Sequence, residues 1–350
     1  MSFRVAVVGC GRMGKLHARV FGEMDQSELA CVVDANPTTA RAVGKQRHCQ
    51  ALSDPVEAVP LVDAAVIAVP TRYHLAAAEP FLRAGKSVLI EKPLALDAET
   101  GRQIVELAHA SGATVQVGHT ERFNPAVVAM QEHNIFPKFI EAHRISPFTF
   151  RSADVGVVLD MMIHDIDLVL MLAGGAVTDI RAVGVNVLGA AEDICNARVA
   201  FDNGCVANIT ASRLAIKTER KMRIFSEQIY MSVDFDKKVG IIIDKTDNLD
   251  LIQMAREMDA DDLAELAESV DYTKLLKVQE LVVDESTEPL RRQAEAFRRT
   301  VVDGAPPVVS ATDGLAALEV AGDIIESLKA HHWDGQTSSR RGFDVINPGN

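Results

Sequence analysis

Between residues 3 and 119, short apolar runs alternate with amphipathic stretches. FRVAVVG (3–9) is an apolar run ending in glycine and predicts a buried strand, and MGKLHARVFGEM (13–24) predicts an amphipathic helix. LACVVD (29–34), AAVIAVP (64–70), SVLIEKP (87–93) and TVQVGH (114–119) predict four more strands. Helical patterns such as HLAAAEPFLRAG (74–85) and DAETGRQIVELAHASG (97–112) separate them. Strands alternating with helices imply a parallel sheet covered by helices on both faces.

After about residue 122 the pattern changes to longer strands: KFIEAHRISPF (138–148), VTDIRAVGVNVL (177–188), NARVAFDNGCVANITASRL (196–214) and RKMRIFSEQIYMSVDFDKKVGIIID (220–244). Asp202-Asn203-Gly204 separates two strand-like runs, a strong hairpin signal because Asn-Gly adopts positive φ cheaply. The expected fold is an α/β Rossmann domain, residues 1–122, plus an α+β domain, residues 123–288, with an open, mostly antiparallel sheet. An acid-rich helical insertion is expected at 246–276. Two closing helices at 289–330 are expected to pack against the first domain or the domain junction, the second with a Ser/Thr-rich start suited to capping.

LDMMIHDIDLVLML (159–172) breaks its own apolar pattern. As a helix it puts Leu159, Ile163, Ile166 and Leu170 on one stripe and Asp160, His164 and Asp167 on a second. Asp160 and His164 then share a face, either as a surface pair contributing a few tenths of a kcal/mol or as an acid/base held by a carboxylate.

The 350 residues are too many for one ordinary core and suit two domains. With 48% hydrophobic and 24% charged residues, the chain reads as globular. Its net charge of −13 argues against nucleic acid as a partner and means that an anionic ligand needs local cations. The five cysteines are odd in number and show no CxxC spacing, which favours a reduced, cytoplasmic chain without a structural zinc site or other metal. No window is long enough to span a membrane, and MSFRVAVVGCGRMG opens directly into a glycine turn rather than a signal sequence.

That turn, GCGRMG, places Gly9, Gly11 and Gly14 in a GxGxxG pattern after the first strand, and Asp34 ends the second strand 20 residues beyond Gly14. Gly9 permits the tight turn, Gly11 lets backbone approach a pyrophosphate, and Gly14 lets helix and strand pack closely. The helix start at Arg12 and Met13 offers N–H groups and a positive dipole end to phosphate. Asp34 can accept hydrogen bonds from ribose hydroxyls and repels a 2′-phosphate. With no cation nearer than Arg41, NAD is expected over NADP.

IEKPL (90–94) lies at the carboxyl end of a strand, where such sheets bind ligands. A lysine there can polarise a substrate oxygen. The glycine turn, VPTRYH (69–74), EKP and the later Asp-x-x-x-His helix together resemble the glucose–fructose oxidoreductase/inositol dehydrogenase/MocA family over roughly residues 3–330. The resemblance implies catalytic roles for Lys92, Asp160 and His164, with His164 as general base, Asp160 orienting it and Lys92 steadying the alkoxide. It also implies that Glu91 and Lys92 border the cofactor, that Thr71 and His74 lie near the pyrophosphate or nicotinamide, and that the open sheet makes a homodimer or homotetramer. Asp167 could orient His164 or cap backbone, and Asp165 points off that face. His119 is expected to face the cleft, and His17, His109 and His331 to be ordinary helix-surface residues.

VGHTERFNPAV (117–127) and DVGVVLDMMIHDIDL (154–168) resemble the branch of this family that oxidises the 3-hydroxyl of UDP-N-acetylglucosamine. A nucleotide diphosphate calls for arginines. Arg122, Arg144 and Arg151 flank the expected cleft, and Arg213, Lys217, Arg220, Lys221 and Arg223 form a basic cluster. Arg213 is the first candidate for the diphosphate, and Arg122 and Asn124 for the sugar. The alternatives are a dehydrogenase of a free sugar or cyclitol, and an NAD-binding regulator without catalysis.

Overall fold

The computed structural model describes residues 2–148, 155–188, 191–262 and 277–332. The chain forms two compact units. The first gathers Met1–Asn124, Val158–Leu168 and Glu285–Glu326, and the second Pro125–Val157, Val169–Asp284 and Ser327–Asn350. The first unit thus takes in Glu285–Glu326 as well as a segment from the midst of the second unit's sequence. The segment that carries Asp160 and His164 belongs to the first unit.

In the first unit, β1 (Phe3–Val8), α1 (Arg12–Glu23), β2 (Ser27–Val33), α2 (Pro37–Arg47), β3 (Gln50–Leu52), α3 (Pro55–Ala58), β4 (Ala64–Ile67), α4 (His74–Arg83), β5 (Ser87–Glu91), α5 (Ala98–Ser111) and β6 (Val115–Gly118) follow in order. All strand pairs are parallel, in the order β3-β2-β1-β4-β5-β6. The order reverses between β1 and β4, the position where doubly wound sheets hold dinucleotides. The strand β3 was not expected. Three residues are too few to show a period.

Period-two alternation explains the two cores. Val5 and Val7 face one layer with Phe21 and Phe297, while Ala6 and Val8 face the other with Phe81, Ile90 and Ile104. The closing helix Pro289–Asp303 joins the first layer, with Phe297 edge-on to Phe3 at 6.2 Å. The helix Ala311–Ala330 joins the second through Ala311, Leu315 and Leu318. It starts with a reciprocal cap in which the Asp313 N–H donates to Ser310 Oγ and the Asp313 carboxylate accepts from the Ser310 N–H.

The second unit begins with a short helix, α6 (Pro125–Gln131). Its sheet contains β7 (Phe139–Ile145), β8 (Val177–Val185), β9 (Ile194–Phe201), β10 (Val206–Ser212), β11 (Glu219–Phe225), β12 (Ile229–Asp234), β13 (Val239–Asp244) and β14 (Gln279–Glu280). The order is β14-β13-β12-β11-β7-β10-β9-β8, antiparallel except for the β7–β10 pair. The hairpin turns at Gly204, φ +83°, with Val206 opposite Ala200. Alternate residues of β7 and β9 are buried, so one face is packed and the other presents polar side chains. The expected insertion at 246–276 contains a helix at Leu249–Glu257; its residues 263–276 lie outside the described residues. No helix among the described residues is long and apolar enough to cross a membrane.

Candidate active site

The glycine turn is built by close approach. Gly9 has φ +96°, and a Cβ there would meet the Ala68 carbonyl at 2.5 Å. A Cβ at Gly14 would fall on the Gly9 carbonyl oxygen, so only glycine lets α1 start so near β1. Gly11 differs, because a Cβ on it would meet nothing within 4 Å. The space above Gly11 is open, and no side chain caps α1, so the first-turn N–H groups at Arg12 and Met13 face outward. This cradle fits the pyrophosphate of a dinucleotide. Asp34 stands beside it, accepting from the Cys10 N–H at 2.8 Å and from the Asn36 N–H at 2.9 Å. Both carboxylate oxygens therefore brace the turn and keep lone pairs for ribose hydroxyls.

At the carboxyl end of β5, Lys92 precedes Pro93 through a cis peptide bond. Its ammonium donates to the Asp160 carbonyl at 2.6 Å and to Asp160 Oδ1 at 3.4 Å. Residues Val158–Met162 form a π-turn that leads into α7 (Ile163–Ala173). The wider turn, a form often found at functional sites, carries Asp160 to Lys92. Asp160 is thus held by Lys92 rather than serving only as the helical partner of His164. Both side chains stay partly open, at 20% and 33% exposure, and can reach a ligand.

His164 packs against His119, ring centroids 6.2 Å apart and planes at 87°. His119 is wholly buried, and its ring nitrogens have no hydrogen-bond partner among the described residues. Burial pushes its pKa below the ordinary imidazole value, with Asp167 opposing and Arg122 and Lys92 reinforcing the shift.

Several of the expected site residues are engaged by protein groups. Arg122 Nε and Nη2 grip Asp167 Oδ2 and Oδ1 at 2.6 and 2.8 Å, both residues being buried. Asp167 thus holds Arg122. Asp165 is also buried. Asn124 is buried and donates to Glu121 at 2.8 Å. His74 is turned inward, with ring nitrogens 3.2 and 3.1 Å from the Leu94 and Val69 carbonyls, and burial lowers its pKa despite those acceptors. It shapes the frame of the site, while Thr71 lies partly exposed in the preceding turn. His17, unlike the helix-surface residue the sequence suggests, is completely buried, 2.6 Å from Glu91. Its position on the buried stripe of α1, beside Ala18 and Phe21, was the available signal.

In the second unit Arg213 is buried, its Nε on Asp193 Oδ1 at 2.5 Å and its Nη1 on the Val155 carbonyl at 2.6 Å. These bonds tie Arg213 to Asp193 and to the Val155 backbone. Arg144 is buried on β7. Arg223 pairs with Glu141 at 3.2 Å and Lys221 with Glu219 at 3.7 Å, so these members of the basic cluster belong to a charge-paired sheet face. Arg151 lies outside the described residues.

The family model described as "Oxidoreductase family, NAD-binding Rossmann fold" matches residues 3–119, and the GFO/IDH/MocA C-terminal domain matches residues 133–231. The chain is 38% identical over 233 residues to UDP-N-acetylglucosamine 3-dehydrogenase of Acidithiobacillus ferrooxidans, covering 66% of this chain and 74% of that one. A solved structure of that protein superposes with TM-score 0.82 at 30% identity, covering 94% of this chain and 99% of the other. Inositol 2-dehydrogenase of Rhizobium meliloti is 28% identical over 342 residues, 94% of this chain and 97% of that one. The structure of levoglucosan dehydrogenase in complex with NADH shares the fold, with TM-score 0.78 at 18% identity, covering 93% and 97%. With a glycine cradle for a dinucleotide, a Lys92–Asp160 contact at the end of β5 and these likenesses, the chain belongs to the GFO/IDH/MocA family of NAD-dependent dehydrogenases.

Proposed function

We propose that the protein oxidises the 3-hydroxyl of UDP-N-acetylglucosamine to a 3-keto sugar. The observation that carries the chemistry is Lys92, pinned 2.6 Å from the Asp160 carbonyl with His164 four residues further along the same segment. Bound NAD supplies the hydride acceptor, held by Gly9, Gly11, Arg12, Met13, Gly14 and Asp34. His164 takes the hydroxyl proton as general base. Lys92 steadies the negative charge developing on the oxygen, and Asp160 fixes the ammonium's direction. The substrate choice is supported by 38% identity to an enzyme of that name. In this reading the protein is a cytoplasmic homodimer or homotetramer, joined through the polar face of the second sheet.

A second reading has its own support. Arg213, the first diphosphate candidate, is buried on Asp193, and Lys221 and Arg223 pair with Glu219 and Glu141 on the exposed sheet face, which favours a free cyclitol or sugar. The test is reduced-nicotinamide absorbance with NAD and a panel of UDP-N-acetylglucosamine, UDP-glucose, UDP-N-acetylgalactosamine, myo-inositol and glucose, with and without a 3-keto trap such as an aminotransferase. Turnover confined to UDP-N-acetylglucosamine is expected. Turnover of inositol or glucose instead would establish the second reading. Lys92→Ala is expected to bind NAD normally and lose activity by a factor on the order of 10²–10⁴. Wild-type protein that binds NAD and oxidises no alcohol would point to a regulator.

A further inference from the structure

The pair formed by His17 and Glu91 has no part in the mechanism above, yet its placement is costly. His17 lies one turn after Gly14 on the helix that cradles the cofactor phosphates, and Glu91 is the last residue of β5, directly before Lys92. Their side chains are 1% and 10% exposed, and Nε2 meets Oε1 at 2.6 Å. The other ring nitrogen of His17 has no hydrogen-bond partner among the described residues, so the imidazole is tied by this one bond. The neighbouring strand makes room for the carboxylate. Gly118 of β6 stands opposite Glu91, and a Cβ there would lie 2.9 Å from Glu91 Cα and 3.1 Å from Oε2. A buried ionisable pair is commonly no more stable than apolar residues of the same volume, so stability does not account for it. What it does supply is a fixed distance between α1 and the backbone that launches Lys92.

We propose that His17 and Glu91 are positioning residues for Lys92: the hydrogen bond between them sets where the lysine leaves β5, and a glycine on β6 keeps the carboxylate's seat open. The proposal rests on the reading of Lys92 as catalytic. It assigns Glu91 to the lysine rather than to the cofactor it was expected to border.

The experiment uses full-length protein carrying His17→Leu or Glu91→Ala, with His17→Gln and Glu91→Gln as conservative partners. Trace acylation with an amine-reactive ester, mapped by peptide mass spectrometry, reports the reactivity of Lys92 relative to exposed Lys237 and needs no substrate. The expected result is a change in relative Lys92 labelling of at least about threefold in the apolar variants. A fall in kcat of at least about tenfold on whichever alcohol the wild type oxidises should accompany it, while the Kd for NAD stays within about threefold. The glutamine variants, which keep a donor or an acceptor, should recover most of both losses. Unchanged labelling and kcat, or a loss confined to NAD affinity, would overturn the proposal. If the apolar variants do not fold, His17→Asn takes their place with the same thresholds, because its shorter amide falls short of Glu91. If the wild type oxidises no alcohol, the functional reading fails by itself, and Lys92 labelling still decides the role of the pair.

Discussion

Arg122 and Asp167 show how far a residue's chemistry can be read before its partner is known. The stretch TERFN (120–124) announces polar residues beside a cofactor domain, but the carboxylate that claims Arg122 stands 45 residues away. Spacing within an element is legible from sequence, whereas pairing between elements is not. The same blindness hid the link of His17 to Glu91 across 74 residues. The fork of Arg122 on Asp167 is buried on both sides, so removing one partner strands a charge. Asp167→Ala should therefore cost about 3–5 kcal/mol of stability by denaturant unfolding. The double variant Arg122→Met, Asp167→Leu should regain most of that loss. Additive losses in the double variant would show that the two residues do not act as a pair.

At the scale of elements, the parallel sheet, its glycine turn, the two closing helices and the hairpin at Asn203-Gly204 follow from period and turn chemistry. Two features do not. β3 is three residues long and borrows its identity from pairing with β2. The turn at Val158–Met162 is π rather than α, and no side-chain period announces it; its effect is to bring Asp160 to Lys92. The glycine turn gives a paired prediction. Gly14→Ala drives a methyl into the Gly9 carbonyl and should lower both the melting temperature and NAD affinity, at about 1–3 kcal/mol of overpacking. Gly11→Ala places its methyl in open space and should leave the melting temperature within about 2 °C while weakening NAD at least about tenfold. Equal effects of the two substitutions on NAD binding and on melting would contradict these separate roles.

For the molecule as a whole, acid sensitivity follows from the buried histidines. Burial holds the pKa values of His74 and His119 below the ordinary imidazole value. The unfolded chain therefore binds more protons than the folded one from the unfolded imidazole pKa, about 6.5, down to the folded values. Their contribution is complete above that pH and is lost as pH falls toward the folded values. Melting temperature should drop between pH 7.5 and 5.5, and His119→Phe should flatten the decline by up to about 1.4 kcal/mol per pH unit. An unaltered slope in that variant would mean that His119 does not contribute. A last consequence concerns recombination with relatives. The first unit collects Val158–Leu168 from the midst of the second unit's sequence, so a chimera spliced at residue 124 takes Lys92 from one parent and both Asp160 and His164 from the other. Swapping the second half to borrow a new specificity thus also grafts two of the three residues of the proposed catalytic set, and the Lys92–Asp160 contact becomes a seam between two lineages.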